Sequence, residues 1–582
     1  MIKMKIIKKY NLLFLLILLL ILTCSVTNHD DTVMIPMRDG TKLSTLLIFP
    51  ALKQKQYPAI LIRTPYKKEN AVPKYRYLVE NNYVLAIQDA RGRFDSEGEF
   101  EPLVKEGKDG YDAVEWLAAQ WWCNGKIGMI GQSYDGWASY CAAVEQPPHL
   151  KTIIANCAPV DLFMDFPYRY GVFIPAVLSW CDIIESNATA DITGHQMQLI
   201  GNKDWVSLLN YLPVSELDYK IFSRKLDYYQ KWIQHNRKDS YWKQSCSLEK
   251  LSNIKIPVFI QSGWFDTQLI DSKLAYNELL KSENKNVKLT IGPWGHTDKE
   301  SRYYNGEFMG EAADEINLYR EYVRWFDYWL KDENNKIMKE PLVQIYAMRS
   351  NRWYGDTIYP LCKTTEKKIY LSSSDKADLI TKGGDLVFDT NKLREGFDTY
   401  IYDPSKALVY TKETTAKPET IREVLSKRDD YLFYKSASLL KETTVLGQIS
   451  AKIFASTSAP DTDWFAILLI LDENDTFIKG MVFGLLRAKF RNSFEKPELL
   501  EKNRVYEFDI DMSHYGITIH AGEKLGLIIT SSSGYPSIGK NLNTGMNNQT
   551  ETDYQIAEQR IYHTLKYRSY ISLPVLADSM KE

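Results

Sequence analysis

The sequence predicts an α/β domain with a mostly parallel sheet, interrupted by a helical insertion and followed by an all-β domain. Three observations carry this. Short apolar or β-branched runs alternate with helical patterns through the first third of the chain. That alternation gives way near Leu162 to long aromatic, helix-like stretches, then resumes near residue 252. Beyond Pro341 the chain breaks into short alternating segments separated by Gly, Asp, Asn and Ser clusters. At 582 residues the chain exceeds one hydrophobic core, so two or three domains are expected.

The predicted strands are read from their apolar runs. "AILIR" (59–63), "VLAIQ" (84–88), "KIGMI" (126–130) and "TIIAN" (152–156) form the first set. Helical segments such as "DAVEWLAAQ" (112–120) lie between them. "IPVFIQ" (256–261) and "VKLTIG" (287–292) resume the sheet after the insertion. The amphipathic "EINLYREYVRWFDYWL" then ends in the polar linker "KDENNK". These features place an α/β domain at 32–161 and 252–330, a helical cap insertion at 162–251, and a β jelly roll at 341–576.

The N-terminus reads differently. Lys3, Lys5, Lys8 and Lys9 precede "LLFLLILLLIL" (12–22), which is short for a membrane span and fits a secretory signal peptide. Cys24 follows, in the manner of a bacterial lipoprotein signal, although Thr23 stands where that pattern has Gly, Ala or Ser. Export is therefore expected, with residues 1–24 as the signal and Cys24 as a candidate lipid anchor to the membrane. The other six cysteines, Cys123, Cys141, Cys157, Cys181, Cys246 and Cys362, are sparse and form no CxxC pair. Several sit in apolar surroundings and read as small core residues, and the set reads neither as zinc ligands nor as a disulfide-dense framework. A net charge of −2 with no basic tract points away from nucleic acid.

Function in an open α/β sheet gathers at the carboxyl ends of the strands. Ser133 stands there after "KIGMI", Asp266 after "IPVFIQ", and His296 after "VKLTIG". The order Ser, Asp, His is that of α/β-hydrolases. A serine hydroxyl needs an imidazole to accept its proton, and the imidazole needs a carboxylate to hold its tautomer. Of the eight histidines, His29 lies at the signal boundary and His149 follows a double proline. His195 and His235 fall in the insertion, and His514, His520 and His563 in the β domain, which leaves His296 at a strand end. The elbow itself reads G-x-S-x-x-G, with Asp135 where the common motif has its second glycine. Alone, Asp266 divides evenly between catalytic acid and turn residue, and Tyr66 after Pro65 reads as a surface tyrosine.

"GQSYDGW", "GWFD" and "GPWGH" together resemble the cocaine esterase and X-Pro dipeptidyl-peptidase superfamily, whose elbow reads G-x-S-Y-x-G. "MRDGTKL", "RTPY", "DARGRFDSEGEF", "SAPDTDW", "RAKFR" and "GYPSIGKNLNTG" extend the resemblance from about Val33 to Asn547. It implies Ser133 as nucleophile, His296 as base and Asp266 as its orienter. It also implies an oxyanion hole made by the Tyr66 hydroxyl and the backbone N–H of Tyr134. Trp264 and Trp294 are read as packing. In the family's α-amino-acid ester hydrolases, acidic residues stand two and three positions after the triad aspartate; here those positions are Gln268 and Leu269. Asp165 lies near a third such carboxylate. The sequence-based expectation is an exported serine hydrolase of esters or amides, acting through an acyl-enzyme with no metal or organic cofactor. The alternatives are an X-Pro dipeptidyl-peptidase-like aminopeptidase and a cell-surface carbohydrate-binding protein with an inert hydrolase domain.

Overall fold

The computed structural model describes residues 30–577 apart from 53, 186–204, 245–247, 283, 298–300, 375–376, 378–382, 408–422, 424 and 533–537. The expected signal peptide 1–24, Cys24, His195, Cys246 and most of "GYPSIG" lie outside the described residues.

A ten-stranded sheet organises the first part of the chain. In chain order its strands are β1 (Asp30–Pro36), β2 (Lys42–Ile48), β3 (Tyr57–Thr64), β4 (Val84–Asp89), β5 (Cys123–Gln132) and β6 (Leu150–Asn156), then β7 (Val258–Phe265), β8 (Val287–Gly295), β9 (Val343–Ala347) and β10 (Arg352–Asp356). They lie side by side as β1-β2-β4-β3-β5-β6-β7-β8-β9-β10. Strands β3 and β4 are buried at every position, as parallel strands covered on both faces must be. That is why they read in the sequence as unbroken apolar runs. Four helices cover the strands: α1 (Lys68–Glu80), α2 (Glu106–Ala118), α3 (Tyr134–Val144) and, after the insertion, α4 (Leu269–Lys281).

A fifth covering helix, α5 (Leu318–Leu330), starts where the Asn317 side chain accepts the Arg320 N–H at 2.8 Å. It buries Leu318, Tyr322, Trp325, Phe326 and Leu330, a stripe at helical spacing. Strand β5 offers Gly128 to it, where an added Cβ would stand 2.8 Å from the Phe326 ring.

The boundary drawn at residue 330 is corrected here. β9 pairs with β8 in parallel and β10 with β9 antiparallel, so the first sheet continues to Asp356, past the expected start of the β domain at 341. Their short alternating pattern is the same as that of the strands beyond. The sequence therefore held no cue to which sheet they join.

Between β6 and β7 lie a two-residue hairpin (Tyr168–Arg169 with Val172–Phe173) and short helices, among them Val177–Glu185 and Asp227–Gln234. From Thr364 to Leu576 the chain forms a second sheet of eleven strands, nearly all antiparallel. It docks on the first domain through Lys273 and Asp511, 2.5 Å apart, and through Trp264. The Trp264 indole lies so close to Gly516 that a Cβ there would stand 2.6 Å from the ring.

One buried ion pair ties the sheet to the helices above it. The Arg63 guanidinium, fully buried on β3, donates to Glu106 at 2.9 Å from Nε and 2.6 Å from Nη2. Glu106 also accepts the Tyr134 hydroxyl at 3.0 Å. Glu106→Ala strands that charge without water, and a stability loss of ~3–5 kcal/mol is expected as a lower denaturant midpoint. A loss under ~1 kcal/mol, as for an exposed pair, would mean that Asp109 takes the charge over; it lies 3.7 Å from Nη2.

Candidate active site

Ser133 occupies the single residue between β5 and α3, at φ 58° and ψ −123°. This left-handed backbone is costly for a serine and is held by its surroundings. The Ser133 N–H donates to the Asn156 carbonyl at 2.9 Å, and the Ser133 carbonyl accepts the Trp137 N–H at 2.9 Å. Two glycines let the helix come this close. A Cβ at Gly131 would stand 2.1 Å from the Asp135 carbonyl carbon, and one at Gly136 would stand 2.8 Å from Ala158 Cβ. The spacing G-x-S-x-x-G therefore follows from where α3 touches β5 and the chain after β6. Asp135 stands one residue short of that second contact.

Asp266 and His296 meet through sheet register. β7 and β8 run parallel with Phe265 opposite Gly295, so the residues that follow these two lie side by side. His296 Nδ1 stands 2.9 Å from Asp266 Oδ1. A carboxylate there fixes the ring proton on Nδ1 and leaves Nε2 as the acceptor. Asp266 is buried and also accepts the Ser262 hydroxyl at 2.9 Å and the Gln268 N–H at 3.1 Å. Burial raises its pKa, but His296, with help from the Cys157 thiol and Gln268, outweighs that and holds it below the usual carboxylate range.

Ser133 and His296 wall the same cavity of about 820 Å³. Tyr66 and Tyr134 wall it too. Tyr134 is the first residue of α3, so its N–H has no acceptor within the helix. The Tyr66 hydroxyl accepts the Trp180 indole N–H at 2.8 Å, which leaves its own proton to donate elsewhere. Burial pushes that phenol well above its ordinary pKa, so it stays protonated. The loop that carries it is pinned by Arg93 Nε on the Pro65 carbonyl at 3.0 Å and Asn70 Nδ2 on the Tyr66 carbonyl at 2.9 Å.

The sequence did not single out Trp180 and Arg169. Trp180 reaches the cavity from the insertion, along with Phe166 and Ile183, and Ile538 reaches it from the β domain. Arg169 pairs with the buried Asp165 at 2.6 Å and donates to the Thr267 carbonyl at 2.7 Å. Burial, despite Arg169, pushes Asp165 up to about 6, and burial pushes Asp135 up to about 7. Gln268 lines the cavity, its amide oxygen taking the Thr267 hydroxyl at 2.9 Å, whereas Leu269 is buried at the start of α4. Trp264 and Trp294 pack: Trp264 Nε1 donates to the Tyr346 carbonyl at 2.7 Å, and Trp294 lies 5.7 Å from the Trp353 ring. Among the described residues, Cys157, Asp266 and His296 group closely enough to hold a metal ion.

The comparisons agree with this architecture. Residues 39–298 match the family model of X-Pro dipeptidyl-peptidase (S15 family). Residues 335–572 match that of the X-Pro dipeptidyl-peptidase C-terminal non-catalytic domain. The chain is 29% identical to the cocaine esterase of Rhodococcus sp. (strain MB1 Bresler), over 94% of this chain and 98% of that protein. An aminopeptidase from the marine sediment archaeon Thaumarchaeota archaeon superposes with a TM-score of 0.81 at 23% identity, covering 95% of this chain and 97% of that one. An α-amino acid ester hydrolase superposes with a TM-score of 0.80 at 24% identity and the same coverage. The two structural likenesses establish the fold, an α/β-hydrolase domain followed by a β domain. With both family models matched in order along one chain, the protein belongs to the cocaine esterase and X-Pro dipeptidyl-peptidase (S15) family.

Proposed function

We propose that the protein is a serine hydrolase that cleaves an ester or amide through an acyl-enzyme on Ser133. The observation that carries this is the Asp266–His296 hydrogen bond behind a cavity whose wall also holds Ser133 on its strained turn. His296 Nε2 takes the Ser133 proton as the hydroxyl attacks the substrate carbonyl, and Asp266 stabilises the imidazolium. The proton then passes to the leaving group, and water repeats the sequence to release the acyl group. The carbonyl oxygen gains negative charge between the Tyr134 N–H and the Tyr66 hydroxyl. The insertion acts as a cap, since Trp180 and Ile183 form part of the cavity wall.

Simple acyl substrates suit the cavity better than free α-amino ones. Positions 268 and 269 supply no carboxylate, and Asp165 already shares its charge with Arg169 at 2.6 Å. A substrate ammonium would lose its water and meet Asp165 engaged by Arg169 and Asp135 held toward its neutral form by burial. The second reading, an X-Pro dipeptidyl-peptidase-like aminopeptidase, draws on the family models, and it requires that ammonium.

Three tests follow from this reading. A fluorophosphonate probe should label wild-type protein at Ser133 and leave Ser133→Ala unlabelled. Labelling that survives the substitution removes Ser133 from the role, and a folded but unlabelled wild type favours the carbohydrate-binding alternative. Paired assays of acyl esters and their α-amino counterparts should give kcat/KM at least as high for the former; a strong preference for the latter would revive the aminopeptidase. Finally, Tyr66→Phe keeps the ring and the fold but removes one oxyanion donor, so kcat should fall by ~10²–10³ with KM and Tm little changed. Activity within about threefold of wild type would exclude Tyr66 as the donor.

A further inference from the structure

A thiol stands behind the Asp266–His296 pair, on the side away from substrate. Cys157 follows β6, fully buried, with its N–H donating to the Gln261 carbonyl of β7 at 2.8 Å. The wall of the substrate cavity includes His296 but neither Cys157 nor Asp266. Yet one ligand atom from each of Cys157, Asp266 and His296 lies within 4.8 Å of the other two. In a tetrahedral zinc site the ligand atoms stand about 3.3–3.6 Å apart, so closing these three around an ion takes shifts of about 1 Å or less per group.

We propose that Cys157 Sγ, His296 Nδ1 and an Asp266 carboxylate oxygen form an inhibitory site for a thiophilic divalent cation of the zinc or cadmium type. The mixed sulfur, nitrogen and oxygen set selects such ions over magnesium and calcium, which take oxygen alone. Water or the Ser262 hydroxyl, which already donates to Asp266, completes the shell. On binding, the Cys157 S–H bond breaks and its proton leaves to solvent. Metal–sulfur, metal–nitrogen and metal–oxygen bonds form, and no electron is transferred. The His296 proton leaves Nδ1 for the metal's sake and returns from solvent to Nε2, so the ring stays neutral and one proton is released overall. With Nε2 protonated, the imidazole no longer accepts the Ser133 proton. Binding itself is independent of the catalytic reading; the inhibition rests on it.

Because the ion sits behind the imidazole, it does not compete with substrate. Zinc and cadmium titrations of the purified protein should lower kcat with KM unchanged, release one proton per ion bound, and be reversed by a chelator. Cadmium should also give a thiolate charge-transfer band in the ultraviolet. Cys157→Ser should lose that band, beyond what the other cysteines contribute, and need at least ~10²-fold more metal for inhibition. Equal sensitivity in Cys157→Ser, or inhibition that raises KM alone, overturns the proposal. Should Cys157→Ser fold poorly, His296→Ala serves instead: its cadmium band should require at least ~10²-fold more metal. An unchanged affinity there means that the thiol alone holds the ion, and the site is refuted. The band and the released proton are read without any substrate. A failure of the hydrolase reading would therefore leave them intact, whereas a failure of the metal site would abolish them in an active enzyme.

Discussion

The closeness of helix Tyr134–Val144 to the strands beneath it is the constraint on which the rest of the site depends. Only hydrogen fits at Gly131 and Gly136, because an added Cβ would meet backbone at 2.1 Å in the first case and Ala158 at 2.8 Å in the second. That contact forces the chain to turn from strand to helix within one residue, and Ser133 takes the left-handed backbone that such a turn requires. The same turn starts the helix at Tyr134, a cavity-lining residue whose N–H has no acceptor within the helix. The proposed nucleophile and oxyanion donor are thus two consequences of one packing contact. Strain at Ser133 is stabilised by the Asn156 carbonyl below and the Trp137 N–H above.

Charge burial divides the carboxyl groups near the site into two kinds. Asp135 and Asp165 are raised, since burial dominates and their cationic neighbours compensate only in part. Asp266 is equally hidden yet lowered, because His296, the Cys157 thiol and the Gln268 N–H all favour its anion. A carboxylate kept ionised against burial is what an imidazole base needs behind it. Glu106 plays a structural part at one remove. It neutralises Arg63 on the sheet and, through the Tyr134 hydroxyl, steadies the proposed oxyanion residue that lines the cavity.

Much of this was legible in the sequence, for reasons that are local. Central parallel strands are buried on both faces and so appear as continuous apolar runs, as at 59–63 and 84–88. Ser133, Asp266 and His296 stand at strand ends, and strand register then brings Asp266 beside His296 without any long-range guess. What stayed hidden depends on tertiary placement. Trp180 lies in a segment with no motif of its own, and the "GYPSIGKNLNTG" that holds Ile538 carries no mark of its target; both reach the cavity only because the insertion and the β domain fold over it. Arg169 was invisible because a charged residue in a loop carries no mark of its partner. The hairpin from Val343 to Asp356 has the alternation of the second domain but pairs with the first sheet. Period-2 patterning specifies a strand and its buried face, not its neighbour. The grouping of Cys157 with Asp266 and His296 was equally hidden, since sequence spacing signals only ligands close along the chain.

The insertion does more than line the cavity. The Tyr66 hydroxyl has one proton to give, and a donor bound to its oxygen leaves that proton for another acceptor. Trp180 does this at 2.8 Å, from a helix far along the chain. The indole also lies beside the Tyr134 ring, with centroids 6.2 Å apart and planes 22° from parallel, so both proposed oxyanion residues neighbour the same side chain. On that proposal, docking of the insertion is coupled to the orientation of the donors that meet the developing charge. Phe166 and Ile183 add to the cavity wall from the same segment. In the proposed mechanism, substrate choice and transition-state stabilisation both draw on that segment, with the Ser133, Asp266 and His296 framework left to the sheet.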